Sequence, residues 1–203
     1  CSKSPADTSI EFDEVSFRYE EDGPLALDKV SFRVPSGSTC AIVGPSGSGK
    51  STVASLMARF WDVSSGSVRV GGVDVREMTS DTLMSQMSLV FQDVSLFKAS
   101  LLDNIRMARP DATREEVVAA AKAAQADEFI RALPQGYETV YGSDGVHLSG
   151  GEKQRVSIAR AILADRPIVV LDEATAFADP ENEHLIQKAF AELMAGKTVV
   201  MIA

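Results

Sequence analysis

Gly44-Pro45-Ser46-Gly47-Ser48-Gly49-Lys50-Ser51 stands between the apolar run Thr39-Cys40-Ala41-Ile42-Val43 and a helix-like stretch from Lys50 to about Phe60. It fits G-x-x-x-x-G-K-[ST] at every fixed position. Glycines in such a loop let backbone N–H groups turn inward around an anion, where side chains would block the approach. A helix following at once adds the positive end of its dipole to the same anion. Strand, glycine-rich loop and helix in this order predict a phosphate-binding loop in an α/β protein. Gly44, Pro45, Ser46, Gly47, Ser48 and Gly49 form its cradle. Lys50 is expected to reach the β- and γ-phosphates, Ser51 to ligate Mg²⁺, and Thr52 to donate to an α-phosphate oxygen. The preceding run reads as a buried strand through Val43, with Cys40 a small buried hydrophobe.

Further along, Ile168-Val169-Val170-Leu171-Asp172-Glu173 is an apolar strand that ends in two acids. Open α/β sheets bind ligands at the C-terminal ends of their strands, so Asp172 is placed to hold Mg²⁺ through its water shell. Glu173 is the candidate base, orienting the water that attacks the γ-phosphorus. Two solvated carboxylates at a strand end would be the plain alternative; the phosphate loop upstream decides against it.

Outward from these two elements, the chain reads as an alternation. Ile10, Phe12, Val15, Phe17 and Tyr19 are strand-like with a slip at Asp13-Glu14, and Val30, Phe32 and Val34 alternate again. Ser67 to Val75 predicts a hairpin turning at Gly71-Gly72. Thr113-Arg114-Glu115-Glu116 has the form of a capping box and opens a helix; Ala126 to Leu133 is a second. A third is expected from Gly150 to Ala164, then a helix over Glu181–Met194 and a strand over Thr198–Ile202. The fold class is therefore α/β: a P-loop core with a parallel sheet, an N-terminal antiparallel β-subdomain and an inserted α-helical subdomain. The core takes residues up to about 92 and from 166 onward, the helical insertion about 93–165, all within one domain.

Composition is that of an ordinary globular protein. The 203 residues are 45% hydrophobic and 24% charged, with a formal net charge of −9 that argues against a nucleic-acid partner. Two separated cysteines, Cys1 and Cys40, suggest neither a disulfide framework nor a zinc site. No stretch is long and apolar enough to span a bilayer. The chain starts at Cys1 without Met and stops inside an apolar run, so a C-terminally truncated fragment of a longer protein is expected.

Leu148-Ser149-Gly150-Gly151-Glu152-Lys153-Gln154-Arg155 resembles the signature sequence of ATP-binding-cassette proteins. In that family two domains bind head to tail around two ATPs, and each signature faces the γ-phosphate held by its partner. The resemblance implies that Ser149 and Gly151 contact the partner's ATP. It implies also that Tyr19 stacks on adenine, that Gln92 contacts Mg²⁺ and the attacking water, and that Asp179 meets the partner beside Glu173. ATP and Mg²⁺ are the implied ligands. The implied partners are a second nucleotide-binding domain and a transmembrane domain, upstream on the same chain, at the cytoplasmic face of the cell membrane.

Phe91-Gln92-Asp93-Val94-Ser95-Leu96-Phe97 and Leu102-Asp103-Asn104-Ile105 resemble exporter-type cassettes. Three positions depart from the family. Its switch histidine would follow Ala203, and neither His147 nor His184 stands where it could replace it. Ser143 occupies a place where exporters often carry Glu. Ala176-Phe177-Ala178, with Asp179-Pro180 after it, resembles iron–siderophore transporters of exporter-type architecture. Competing readings are a cassette acting on DNA or chromatin, a translation-associated cassette and a binding-only regulator. The first usually carries a long insertion absent here, the second has tandem cassettes, and intact Lys50, Asp172 and Glu173 argue against the third.

Overall fold

The computed structural model describes residues 2–45, 48–91, 94–143, 146–172 and 180–202. Its strands in chain order are β1 (Ile10–Phe17), β2 (Leu27–Val34), β3 (Thr39–Ile42), β4 (Ser65–Val70), β5 (Val73–Asp74), β6 (Met87–Val90), β7 (Ile168–Asp172) and β8 (Thr198–Ile202). The helices are α1 (Lys50–Met57), α2 (Ser80–Met84), α3 (Leu101–Arg106), α4 (Arg114–Ala123), α5 (Asp127–Ala132), α6 (Gly150–Ala164) and α7 (Pro180–Met194). Strands order as β2-β1-β4-β5 in one sheet and β3-β8-β7-β6 in another. The described residues fall into two compact units, one of 2–88, 167–172 and 196–202, the other of 89–166 and 180–195.

In the first unit, β1 pairs antiparallel with β2 on one side and β4 on the other. The expected slip at Asp13-Glu14 is a β-bulge: both pairings shift register there and Glu14 has φ 45°. One extra residue changes the parity of the strand, so Ile10, Phe12, Val15 and Phe17 all face the core, each no more than 3% exposed. Gly66 on β4 permits this, since a Cβ there would lie 2.3 Å from the Glu14 carbonyl oxygen. Phe12 stacks on Phe32 of β2 with ring centroids 4.6 Å apart. The predicted β4–β5 hairpin is present, with Val70 opposite Val73 and positive φ at both Gly71 and Gly72, as a two-residue turn of matching twist requires.

The second sheet is parallel where β3 meets β8 and β8 meets β7. β7 is buried from Ile168 to Leu171, as a strand flanked on both sides should be. β3 departs from expectation. It lies at the edge of the sheet, Cys40 is half-buried, and Val43 falls beyond the strand with 78% of its surface exposed.

Helix α1 ends earlier than the apolar spacing predicts. Arg59 takes φ 56°, and the Arg59 and Phe60 amides donate to the Leu56 and Ser55 carbonyls at 3.2 and 2.9 Å. That 5→2 and 6→1 pair is a Schellman ending, which stops the helix and turns Phe60 and Trp61 away from its axis.

The second unit is a helical body. α6 packs on α3, α4 and α7, and Leu101, Ile105, Val117, Ala121, Ile130 and Ile158 are fully buried. The capping box of α4 is formed as read, with Thr113 accepting from the Glu116 amide. Buried Asn104 ties down the preceding loop: its carboxamide accepts from the Phe97 amide at 2.8 Å and donates to the Phe97, Ala99 and Ser100 carbonyls.

Candidate functional site

The phosphate loop occupies the turn from β3 into α1. Gly49 is required to be glycine, whereas at Gly44 a rotation of the Ser48 side chain could make room for a Cβ. A Cβ on Gly44 would meet the Ser48 hydroxyl at 2.8 Å, and one on Gly49 would meet the Ala26 carbonyl oxygen at 2.6 Å. Gly49 also has φ 89°, a backbone conformation that L side chains adopt at a cost. It sits at the N-cap of α1, where no side chain caps the helix and no acidic residue occupies the first turn. The start of α1 thus carries no opposing negative side chain, and its positive dipole end favours an anion. Pro45 and Ser48 close the turn through a 3.2 Å amide-to-carbonyl bond. Lys50 and Ser51 open the helix; Ser46 and Gly47 lie outside the described residues.

Helix α1 packs on β7, the strand that ends at half-buried Asp172. Among the described residues no group of three or more His, Cys, Asp or Glu side chains is gathered to hold a metal. The Ser51 hydroxyl and the Asp172 carboxylate could hold a cation together with phosphate oxygens and water, a donor set that would fit Mg²⁺ and its retained hydration. Gln92, Glu173 and Asp179, with the Ala176-Phe177-Ala178 stretch, lie outside the described residues.

Tyr19 lies just past the end of β1 and is half exposed. Its hydroxyl is 2.7 Å from Thr52 Oγ1, and Thr52 is buried on α1. The residue read for base stacking is therefore joined to the residue read for phosphate donation.

In the second unit Ser149 is the N-cap of α6. Its hydroxyl accepts from the Glu152 amide at 3.1 Å, and the Glu152 carboxylate accepts from the Ser149 amide at 2.9 Å. Glu152 thus fixes the Ser149 turn. Gly151 packs so tightly on α7 that a Cβ would fall 2.9 Å from Asn182 Cγ.

Arg155 is the residue whose part here was not foreseen. Only 6% exposed, it donates to the Gly151 carbonyl at 3.3 Å, the Gln125 carbonyl at 2.7 Å and Asn182 Oδ1 at 3.0 Å, with its guanidinium 5.0 Å from the Phe129 ring centroid. Burial pushes this guanidinium below its ordinary pKa, opposed by the charges of Glu152, Glu128 and Glu181. Arg155 joins α6, α7 and the end of α4 directly below the signature turn. Next to it Gln154 is fully buried, with neither amide atom hydrogen-bonded among the described residues.

A profile of the ABC transporter family matches residues 27–176, spanning the phosphate loop, the signature turn and the β7 acids. The chain belongs to the ABC transporter family. Among relatives of this nucleotide-binding domain is the putative multidrug export ATP-binding/permease protein YgaD of Bacillus subtilis, 48% identical over 194 residues, covering 96% of the chain and 33% of the relative. The mycobactin import ATP-binding/permease protein IrtA of Mycolicibacterium smegmatis is 49% identical over 201 residues, covering 99% and 23%. A bacterial Atm1-family ABC exporter solved with ATP bound superposes with a TM-score of 0.90 at 42% identity, over 100% of this chain and 35% of that one. The domain thus spans about a third of the length of these proteins or less.

Proposed function

We propose that this domain binds and hydrolyses MgATP as the motor of a membrane transporter, paired head to tail with a second nucleotide-binding domain. The observation that carries the reading is the start of α1 behind left-handed Gly49, with no side-chain cap and no acidic first turn, on a helix packed against the strand that ends at Asp172. Backbone N–H groups of the loop and Lys50 hold the β- and γ-phosphates, and Ser51 and Asp172 fix the cation site. Mg²⁺, when bound, neutralises charge on the phosphate oxygens. Gln92 and Glu173 orient the attacking water, and Glu173 takes its proton. Ser149 and Gly151 complete the partner's site at the start of α6, where the α-helix dipole again favours an anion.

No helix among the described residues is long and apolar enough to cross a membrane. Relatives named ATP-binding/permease proteins, three to four times as long, support a transmembrane domain on the same polypeptide, with this domain at the cytoplasmic face. A DNA- or translation-associated role finds no support in relatives named for export or import. A siderophore cargo draws on the likeness to a mycobactin import protein, and transport assays of the whole protein showing no stimulation by ferric siderophores would remove it.

Glu173→Gln tests the motor reading. The amide keeps the size and hydrogen bonding of the side chain but takes no proton, so hydrolysis should fall by about 10²–10⁴ while ATP binding survives. The variant should run as a dimer on size exclusion with MgATP. Wild-type turnover, or a variant that stays monomeric with ATP, refutes the assignment of Glu173.

A further inference from the structure

Three aromatic rings meet where the first strand ends and the loop after α1 returns. Phe17 and Tyr19 are nearly perpendicular with centroids 4.8 Å apart, Tyr19 and Trp61 likewise at 5.5 Å, and Phe17 and Trp61 lie 6.0 Å apart. Phe17 is buried, whereas Tyr19 and Trp61 are 50% and 49% exposed. Tyr19 is therefore restrained by a buried ring, by a half-exposed ring and, at its hydroxyl, by Thr52. Edge-to-face aromatic pairs have a preferred geometry and so fix orientation as well as adding contact.

The chain delivers Trp61 to this place by backbone geometry. The Schellman ending at Arg59 turns it off α1, and the Arg59 guanidinium then binds Asp62 at 2.8 Å, closing the turn around Phe60 and Trp61. Two half-exposed aromatics side by side on a domain of net charge −9 form an apolar surface that water covers poorly.

We propose that Trp61 is a positioning residue of the base site: standing at right angles to Tyr19, it holds that ring in its stacking orientation against the purine. The inference rests on the ATP-binding reading above and adds a second ring to it. Because Tyr19 is hydrogen-bonded to Thr52 on α1, base and phosphate subsites are held in one frame, yet Trp61 itself acts only on the base.

The test is titration calorimetry of the 203-residue chain with MgATP and, separately, with magnesium tripolyphosphate, which lacks the base. Trp61→Ala should weaken ATP about threefold to tenfold, the value of one aromatic pair, and leave tripolyphosphate within about twofold. Trp61→Phe should restore most of the ATP affinity. Trp61 is the single tryptophan of the chain, so wild-type emission should change with ATP and not with tripolyphosphate. Equal ATP affinity in wild type and Trp61→Ala, or equal loss of both ligands, overturns the proposal. If Tyr19→Ala weakens ATP while Trp61→Ala does not, the Trp61 inference falls and the ATP reading stands. A wild-type chain that binds neither ligand removes both.

Discussion

Replacing Arg155 by Ala should destabilise the helical unit more than any other single change at the signature helix. The two short hydrogen bonds, to the Gln125 carbonyl at 2.7 Å and Asn182 Oδ1 at 3.0 Å, come from a charged donor that is 6% exposed. Bonds to charged groups contribute about 1.5–3 kcal/mol each, so their loss amounts to about 3–6 kcal/mol. Water entering the vacated space, and relief from keeping a guanidinium desolvated, offset part of this and leave about 3 kcal/mol. For a domain of this size that corresponds to a fall in Tm of about 6–12 °C. Arg155→Lys should fall between, because a single ammonium cannot serve acceptors on three segments at once. Differential scanning calorimetry of the two variants and the wild type gives the comparison. ATP turnover should fall with the Ala variant, since the same side chain holds the Gly151 carbonyl. A Tm within about 2 °C of wild type for Arg155→Ala would refute the view that this guanidinium joins α4, α6 and α7.

Other outcomes follow from the same geometry. Lys50→Ala removes the charge-assisted phosphate contact and should abolish MgATP binding in titration calorimetry; equal affinity with wild type would contradict the phosphate-loop assignment. Gly49→Ala places a methyl 2.6 Å from the Ala26 carbonyl oxygen at φ 89°, and should cost at least about 1–2 kcal/mol, measured by urea unfolding, and weaken ATP binding as α1 shifts. Gln154→Met exchanges an unpaired buried amide for an apolar chain of similar length and should raise stability by about 1 kcal/mol; a lower unfolding midpoint would show that the amide has a partner in solution.

What could be read from residue types alone was whatever depends on local chemistry. Gly44 to Ser51 announces its loop through its fixed glycine, lysine and serine positions, of which Gly49 tolerates no side chain, and Thr113 and Ser149 announce helix starts through their own capping hydroxyls. The bulge at Glu14 was visible because core residues switched parity across it. Some short elements were not legible. Helices α2 and α3 and strand β6 have five, six and four residues, too few for periodicity to declare itself. Burial was misjudged at Cys40 and Val43, since an apolar run shows strand propensity but not whether the strand is central or at an edge. Arg155 and Asn104 were hidden for a different reason. Their polar side chains are buried because of acceptors far off in sequence, at Gln125 and Asn182 for one and across a loop for the other. No spacing rule carries that information.

The bulge in β1 carries a consequence for how this sequence can vary. Glu14 bends out of line only because β4 offers a residue without a Cβ opposite it, at Gly66 with φ 80°. With Glu14 deleted, Ile10, Phe12, Val15 and Phe17 would alternate regularly along a straight strand, whereas a straight strand that keeps Glu14 turns one pair of core side chains toward water. Giving Gly66 a side chain would force the same strand straight. The two positions, 52 apart along the chain, therefore constitute one inherited choice: homologues should keep both the extra residue and the glycine, or have shed both together.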